Sequence, residues 1–176
     1  MKNIQTPPRT IMEVFKSLPE GTLAEVIDGN LYMSPSPTRN HQRLVRKLLV
    51  AFSNFIEPLA LGESFSGPFD VYLDEHENAV QPDVLFVSKE NLSIVKPDAI
   101  HGAPDLIIEI LSPSNEQYDL IKKKELYEKF GVKEYWVINP DSKESIGFFL
   151  KDGKYASSEK HQSYIKSPLL NDEFHF

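Results

Sequence analysis

The run Asp105-Leu-Ile-Ile-Glu109-Ile-Leu111 is the clearest indication of the fold class. It is almost continuously apolar, which is typical of a central strand that is covered on both faces. A helix predicted over residues 114–130 separates it from another apolar strand at Glu134–Ile138. A strand–helix–strand unit needs a crossover connection, and therefore at least one parallel pair of strands. The sequence predicts an α/β fold with a mixed central sheet flanked by helices.

Other elements follow from periodicity and from turn signals. Apolar residues at helical spacing predict an amphipathic helix over residues 40–57, with Arg39, Arg43, Arg46 and Lys47 mostly off the apolar stripe. Strands are predicted at Phe65–Leu73 and Val80–Val87. Capping boxes and tight turns predict an N-terminal helix, a hairpin, the limits of the helix over residues 114–130, and a late hairpin before an irregular tail. These signals are Thr10–Glu13, Asp28–Asn30, Ser114–Gln117, Gly131 and Asp152–Gly153.

Length and composition suit one domain over residues 1–176. With 40% hydrophobic and 26% charged residues, the chain resembles an ordinary globular protein, and no stretch is long and apolar enough for a membrane helix. The absence of cysteine excludes disulfides and zinc–thiolate sites, and the lack of an apolar signal core leads us to expect a cytoplasmic protein. The net charge of -7 argues against a strong non-specific binder of DNA.

Two acidic residues interrupt predicted strands. Asp83 follows Pro82 and shares a strand face with Leu85, while Glu109 lies within the central strand. A buried carboxylate is costly unless it meets a cation or hydrogen-bond donors. Together the two carboxylates could hold Mg²⁺ through oxygen ligands. The alternatives are an aspartate at a strand mouth bonded to a nearby loop, and a glutamate in a buried salt bridge.

Lys123 is the most informative position. At about 100° per residue, it falls in the middle of the helix face that Leu126, Tyr127 and Phe130 define. An ammonium that faces the sheet requires carboxylates beneath it. Beside a metal, Lys123 could orient the attacking water or offset charge in a phosphoryl transition state. The alternative is a lysine that extends outward to solvent while only its stem packs.

Four further residues are weaker candidates. Glu25 shares a strand face with apolar neighbours and could add a third carboxylate, or could be an acid at the rim of the sheet. His41 lies on the apolar stripe of the first long helix, where histidine is often a satisfied core residue. Asp119 lies one turn before Lys123, at the edge of the same face. Asp70 is not expected to reach the metal.

These residues belong to a pattern that runs from about Glu25 to the Pro168 region, and the pattern resembles the Uma-two family of endonucleases. That family lies in the restriction-endonuclease-like PD-(D/E)XK superfamily. The matching pieces are Glu25-Val-Ile-Asp-Gly, Ser34-Pro-Ser-Pro with His41, Pro82-Asp83-Val84, Gly102 to Ser114, Asp119 with Lys123 and Tyr127, and Glu134-Tyr-Trp-Val.

The resemblance implies a restriction-endonuclease-like core with Asp83 as the motif aspartate and Glu109 as the motif glutamate. The superfamily lysine would stand at Leu111, and in this family the following helix supplies it, which matches Lys123. It implies an endonuclease that hydrolyses DNA phosphodiester bonds with Mg²⁺ or Mn²⁺ held by Asp83, Glu109 and Glu25. Cutting both strands of a duplex favours a homodimer.

Two rival hypotheses stay open at the level of the sequence. The net negative charge, and Leu111 at the position of the superfamily lysine, are compatible with a catalytically degenerate nuclease fold that serves protein or nucleic-acid interaction. A metal-dependent hydrolase of a small phosphate ester is the other rival.

Overall fold

The computed structural model of the chain describes residues 8–112 and 118–176, without the side chains of residues 118, 119, 157 and 158. Its described helices are α1 (Ile11–Lys16), α2 (Arg39–Leu59), a 3₁₀-helix (Lys89–Ile94), a π-helix (Tyr118–Lys123) and α3 (Lys124–Phe130). None of these described helices is long and apolar enough to span a bilayer.

The strands are numbered in chain order. They are β1 (Ala24–Ile27), β2 (Asn30–Met33), β3 (Gly62–Ser66), β4 (Val71–Tyr72), β5 (Ala79–Val80), β6 (Val84–Ser88), β7 (Ile100–His101), β8 (Leu106–Ile110), β9 (Glu134–Ile138), β10 (Glu144–Lys151), β11 (Lys154–Gln162), β12 (Tyr164–Ser167) and β13 (Asp172–His175).

The central feature is a six-stranded sheet in the order β11-β10-β9-β8-β6-β3. Strands β8 and β9 pair in parallel, and the π-helix and α3 form the crossover between them. The other neighbours are antiparallel, so the sheet is mixed. Every residue of β8 is buried because packed layers cover both faces. The predicted α/β class, the central strand and the parallel pair are confirmed.

Two layers cover this sheet. One face packs on α2 through an apolar cluster that contains Leu48, Phe52 and Trp136. The other face packs on α3 through a second cluster that contains Leu126 and Tyr127. A five-stranded sheet in the order β2-β1-β5-β4-β7 contributes further residues to that second cluster. The capping box of α1 and the hairpin of β1 and β2 form as predicted.

Two predicted strands are wrong, and a proline explains each error. The run Phe65–Leu73 divides at Gly67-Pro68 into β3 and β4, which lie in different sheets. The run Val80–Val87 divides at Pro82 into β5 and β6, which also lie in different sheets. Proline lacks the backbone N–H that a strand ladder needs, so the chain changes direction there.

Three further expectations need comment. The tail predicted to be irregular is the antiparallel hairpin of β12 and β13, whose Ile165 and Phe174 join the core beside α2. The helix predicted over residues 114–130 begins, within the described residues, as a π-helix before α3, and Gly131 caps it with a left-handed φ of 82°. The capping box predicted at Ser114–Gln117 lies outside the described residues.

Candidate functional site

A cavity of about 590 Å³ lies at the end of the central sheet where β6 begins and β8 ends. Its walls include the loop of residues 34–38, the first turn of α2, the Gly67-Pro68 turn and Pro140-Asp141. Five of the predicted site residues line it, namely Glu25, His41, Asp83, Glu109 and Lys123. Different elements supply them, so the fold brings residues that are distant in sequence to one place.

Asp83 stands just before β6, not within a strand as predicted, because Pro82 delays the start of the strand. Its Oδ2 accepts a hydrogen bond of 2.7 Å from the backbone N–H of Ile110, and His41 Nε2 lies 3.0 Å from the same oxygen. Ile110 directly follows Glu109 on the neighbouring strand, so the two acidic residues are anchored at the same sheet end. Asp83 therefore lies at a strand mouth, as the alternative has it, but its partners are a backbone N–H of β8 and a histidine of α2 and not a nearby loop.

Glu109 is buried and accepts two hydrogen bonds at Oε1. Lys123 Nζ donates over 2.9 Å and the Tyr127 hydroxyl over 2.7 Å. Burial, together with the carboxylates of Glu109 and Glu25, raises the pKa of Tyr127 well above its ordinary value, so this hydroxyl remains a donor. Both donors lie in the crossover that follows β8. They therefore fix the Glu109 carboxylate from the side of the sheet that α3 covers.

Lys123 faces the sheet, as its helical position predicts, and only 5% of the residue is exposed. Its Nζ lies 3.0 Å from Glu25 Oε1 and 2.9 Å from Glu109 Oε1. One ammonium therefore balances two buried carboxylates, which would otherwise repel each other. The outward-extending alternative for Lys123 is wrong, and the buried salt bridge considered for Glu109 is present.

Glu25 lies in β1, and its four-residue strand is buried throughout. Besides its ion pair with Lys123, Glu25 Oε1 accepts a hydrogen bond of 2.9 Å from the backbone N–H of Gln81. The side-chain amide of Gln81 in turn donates to Asp70 Oδ1 and to the Thr22 carbonyl, over 2.8 Å and 3.1 Å. Glu25 is thus a buried member of the cluster, not an acid at the rim.

The remaining candidates are His41, Asp70 and Asp119, and they differ in their position relative to the cavity. His41 contacts Asp83 from α2, so it belongs to the cluster instead of being an isolated core histidine. Asp70 contacts Gln81 and does not line the cavity. The side chain of Asp119 lies outside the part of the chain that the structure describes.

The donor set of the cavity suits a hard divalent cation. Asp83, Glu109 and Glu25 offer carboxylate oxygens, and Mg²⁺ usually takes one or two protein carboxylates and completes its shell with water and substrate phosphate. Across residues 8–112 and 118–176, no three acidic, histidine or cysteine side chains already converge as a preformed metal cage. A Mg²⁺ ion held by two carboxylates needs no such cage, so the residues fit the ion.

Some contributors to the site were not identified from the sequence. Tyr127 stands beside Lys123 in the family pattern, but its helical position places it on the core face and gives no signal that its hydroxyl reaches Glu109. The backbone N–H groups of Gln81 and Ile110 carry no sequence signal at all. The only indication for Gln81 was its place beside Pro82-Asp83.

A comparison with protein families shows to which family a chain with this cavity belongs. The family described as “Uma2: Putative restriction endonuclease” matches residues 12–175. The chain belongs to the Uma2 family. The match includes all the cavity-lining candidates, and the family description indicates a nuclease.

A solved structure shares the fold of this Uma2 chain. It is a crystal structure of “a putative nuclease belonging to DUF820” from Anabaena variabilis ATCC 29413. The TM-score is 0.75 at 20% identity, and the match covers 93% of this chain and 92% of that chain. The restriction-endonuclease-like fold prediction is confirmed. A comparison with curated proteins finds no match.

Proposed function

We propose that this Uma2 chain is a magnesium-dependent endonuclease that hydrolyses phosphodiester bonds of DNA. The observation that carries the proposal is the meeting of Asp83, Glu109 and Lys123 at one cavity, from a loop, a central strand and the crossover that follows it. Family membership supports the nuclease class. The choice of Mg²⁺ and of DNA is our inference from the carboxylate donors and from that class.

In this proposal Asp83 and Glu109 hold the ion, and Glu25 is the third carboxylate beside them. When bound, Mg²⁺ or Mn²⁺ would polarise the phosphoryl oxygens and offset negative charge in the transition state. His41 and the Ile110 N–H orient the Asp83 carboxylate, since both contact its Oδ2.

Lys123 and Tyr127 act on the other side of the proposed site. Both donate to Glu109 Oε1, so they fix the direction of that carboxylate before any substrate arrives. The Lys123 ammonium is also the cation that can hold the attacking water or meet the developing charge on phosphorus. Cutting both strands of a duplex would need two such sites, so the proposal includes a two-fold homodimer.

A cleavage assay tests the proposal. With supercoiled plasmid and Mg²⁺, the wild-type chain should produce nicked and linear DNA, and chelation should stop the reaction. Asp83→Ala should abolish both metal uptake and cleavage. Asp98→Ala is the matched control, because Asp98 is exposed and lies outside the cavity. Cleavage that survives in Asp83→Ala would show that the assignment is wrong.

A second candidate function is a non-catalytic interaction module that keeps the nuclease fold. Two observations favour it: the Lys123 ammonium already neutralises Glu25 and Glu109, and buried Leu111 stands at the position where the superfamily pattern has its lysine. Calorimetry with Mg²⁺ separates the two functions. Uptake that Glu109→Gln abolishes supports the enzyme, whereas no uptake by the wild-type chain supports the module.

A further inference from the structure

The outer face of α2 carries a row of arginines that the site described above does not use. Arg39, Arg43 and Arg46 are all exposed, and we call them the arginine stripe. At about 100° per residue they fall within roughly 60° of one another, on the side of the helix opposite the buried Leu48. Arg39 lines the cavity, so the stripe begins at the candidate site and continues along the helix.

The stripe does not serve the stability of α2. The first turn of the helix contains no acidic residue, although the helix dipole favours acids there and disfavours cations. Arg39 and Arg43 are four residues apart, and Arg43 and Arg46 are three apart, so like charges face each other along the helix. Within the described residues no ion pair involves any of the three arginines. A solvated helix face usually mixes both signs of charge.

The position of these cations is also unusual for this chain. The protein has a net charge of -7, and yet the first half of α2 contains only basic charged residues. The cavity beside them is lined by carboxylates, which alone would repel a polyanionic substrate. Cations next to that cavity can lower this repulsion when a phosphate chain approaches.

The spacing of the stripe suits a phosphate backbone. A helix rises about 1.5 Å per residue, so Arg39 and Arg46 are roughly 10 Å apart along the axis. Each strand of duplex DNA advances about 3.4 Å per nucleotide along the duplex axis, so a stripe that lies along that axis spans about three nucleotides. The planar guanidinium group can bind phosphate oxygens with two parallel hydrogen bonds.

We propose that the arginine stripe binds the sugar–phosphate backbone of a DNA duplex that enters the cavity. This inference rests on the proposed function, because the duplex it guides is the substrate of that same site. It adds the location and the charge of the surface on which that duplex docks.

The test compares two variants that each remove two positive charges. Arg43→Gln/Arg46→Gln alters the stripe but leaves Arg39 and the cavity lining intact. Lys89→Gln/Lys151→Gln is the matched control: both lysines are exposed, and they follow β6 and end β10 at the sheet end opposite Asp83. All are made in an Asp83→Asn chain, so that binding is measured without cleavage. Thermal unfolding checks that each variant folds.

Binding is measured by fluorescence anisotropy with a labelled 20-base-pair duplex, in Mg²⁺ and at several KCl concentrations. The stripe variant should bind roughly tenfold more weakly, and the slope of log K against log[KCl] should fall by about 2. The control should change neither quantity by a comparable amount. Arg43→Lys/Arg46→Lys should keep most of the salt slope, because it keeps the charge.

Two outcomes would overturn the inference: equal losses in the stripe variant and the control, or a stripe effect on single-stranded DNA but not on the duplex. Failure of the proposed function looks different. If binding depends on the stripe but the chain with Asp83 intact cleaves no DNA, the docking surface stands and the endonuclease activity fails. If the chain with Asp83 intact cleaves DNA normally and the stripe variant binds as tightly as its parent, the endonuclease activity stands and the docking surface fails.

Discussion

Lys123→Met tests how the buried cluster is held together. The substitution keeps an unbranched apolar side chain of similar length and removes only the ammonium. In the wild-type chain Nζ lies 3.0 Å from Glu25 and 2.9 Å from Glu109, and the lysine side chain is only 7% exposed. Its removal leaves two buried carboxylates near each other without a compensating cation.

The expected loss of stability follows from that geometry. Removing one partner of a buried ion pair costs about 3–5 kcal/mol, because the remaining charge stays desolvated. For a chain of this size each kcal/mol lowers the Tm by roughly 2–4 °C, so a fall on the order of 10 °C is expected. Lys129→Met is the control, since the Lys129 side chain is 62% exposed and its Nζ lies 3.9 Å from exposed Asp28. Its unfolding free energy should change by less than about 0.5 kcal/mol.

Urea denaturation with and without Mg²⁺ measures both effects. A divalent cation bound by Glu109 would replace the missing charge, and saturation at about a hundred times the Kd would restore roughly 2.7 kcal/mol to Lys123→Met. At the same Mg²⁺ concentration the wild-type chain should gain less, because its ammonium already balances the carboxylates and weakens their affinity for the ion. Equal losses for Lys123→Met and Lys129→Met would refute the claim that Lys123 balances Glu25 and Glu109.

Three other predictions concern the supports of the site and of the fold. Tyr127→Phe removes a 2.7 Å hydrogen bond to Glu109, so Mg²⁺ affinity by calorimetry should fall roughly tenfold, and an unchanged affinity would contradict this role. Glu134→Gln should lower the free energy of unfolding, measured by urea denaturation, by about 1–3 kcal/mol. The Glu134 carboxylate accepts hydrogen bonds from Trp136, Ser167 and Leu169, and the NH₂ group of an amide cannot accept them. An unchanged free energy of unfolding would contradict this role. Burial raises the pKa of Asp105, but hydrogen bonds from Lys133 and Ser88 outweigh it and lower the pKa below its ordinary value. The resulting stability is complete above about pH 4 and is lost as the pH falls through the lowered pKa, so Asp105→Asn should lack this component of acid unfolding; identical acid profiles would refute it.

The central part of the fold could be predicted because its signals are local. The apolar run of β8 and the strand of β9 mark buried strands whatever surrounds them. The divisions at Pro68 and Pro82 have a local signal too, but the flanking apolar residues outweighed it in the prediction. The π-helix that ends at Lys123 has no comparable signal, because a shift of hydrogen bonding by one residue leaves the apolar pattern almost unchanged.

The residues of the site likewise divide into those that the sequence could predict and those that it could not. Glu109 and Lys123 were identifiable because a charged residue on an apolar face requires a partner. The distance between Glu109 and Lys123, and the contact of Lys123 with Glu25, depend on the packing between two sheets. Glu25 lies in β1 of the five-stranded sheet, and Lys123 lies in the crossover that covers the six-stranded sheet. The support from Tyr127 and from the Ile110 N–H could not be predicted, because an aromatic core residue and a backbone amide look the same in sequence whether or not they hold a carboxylate.

A crystal structure with Mn²⁺, measured at a wavelength where manganese scatters anomalously, would locate the proposed metal ion. We expect an anomalous peak in the cavity, within coordination distance of carboxylate oxygens of both Asp83 and Glu109, and no peak in Glu109→Gln crystals grown in the same way. A fully occupied peak elsewhere, or a cavity without a peak while Lys123 still joins Glu25 and Glu109, would show that these two carboxylates do not hold the ion.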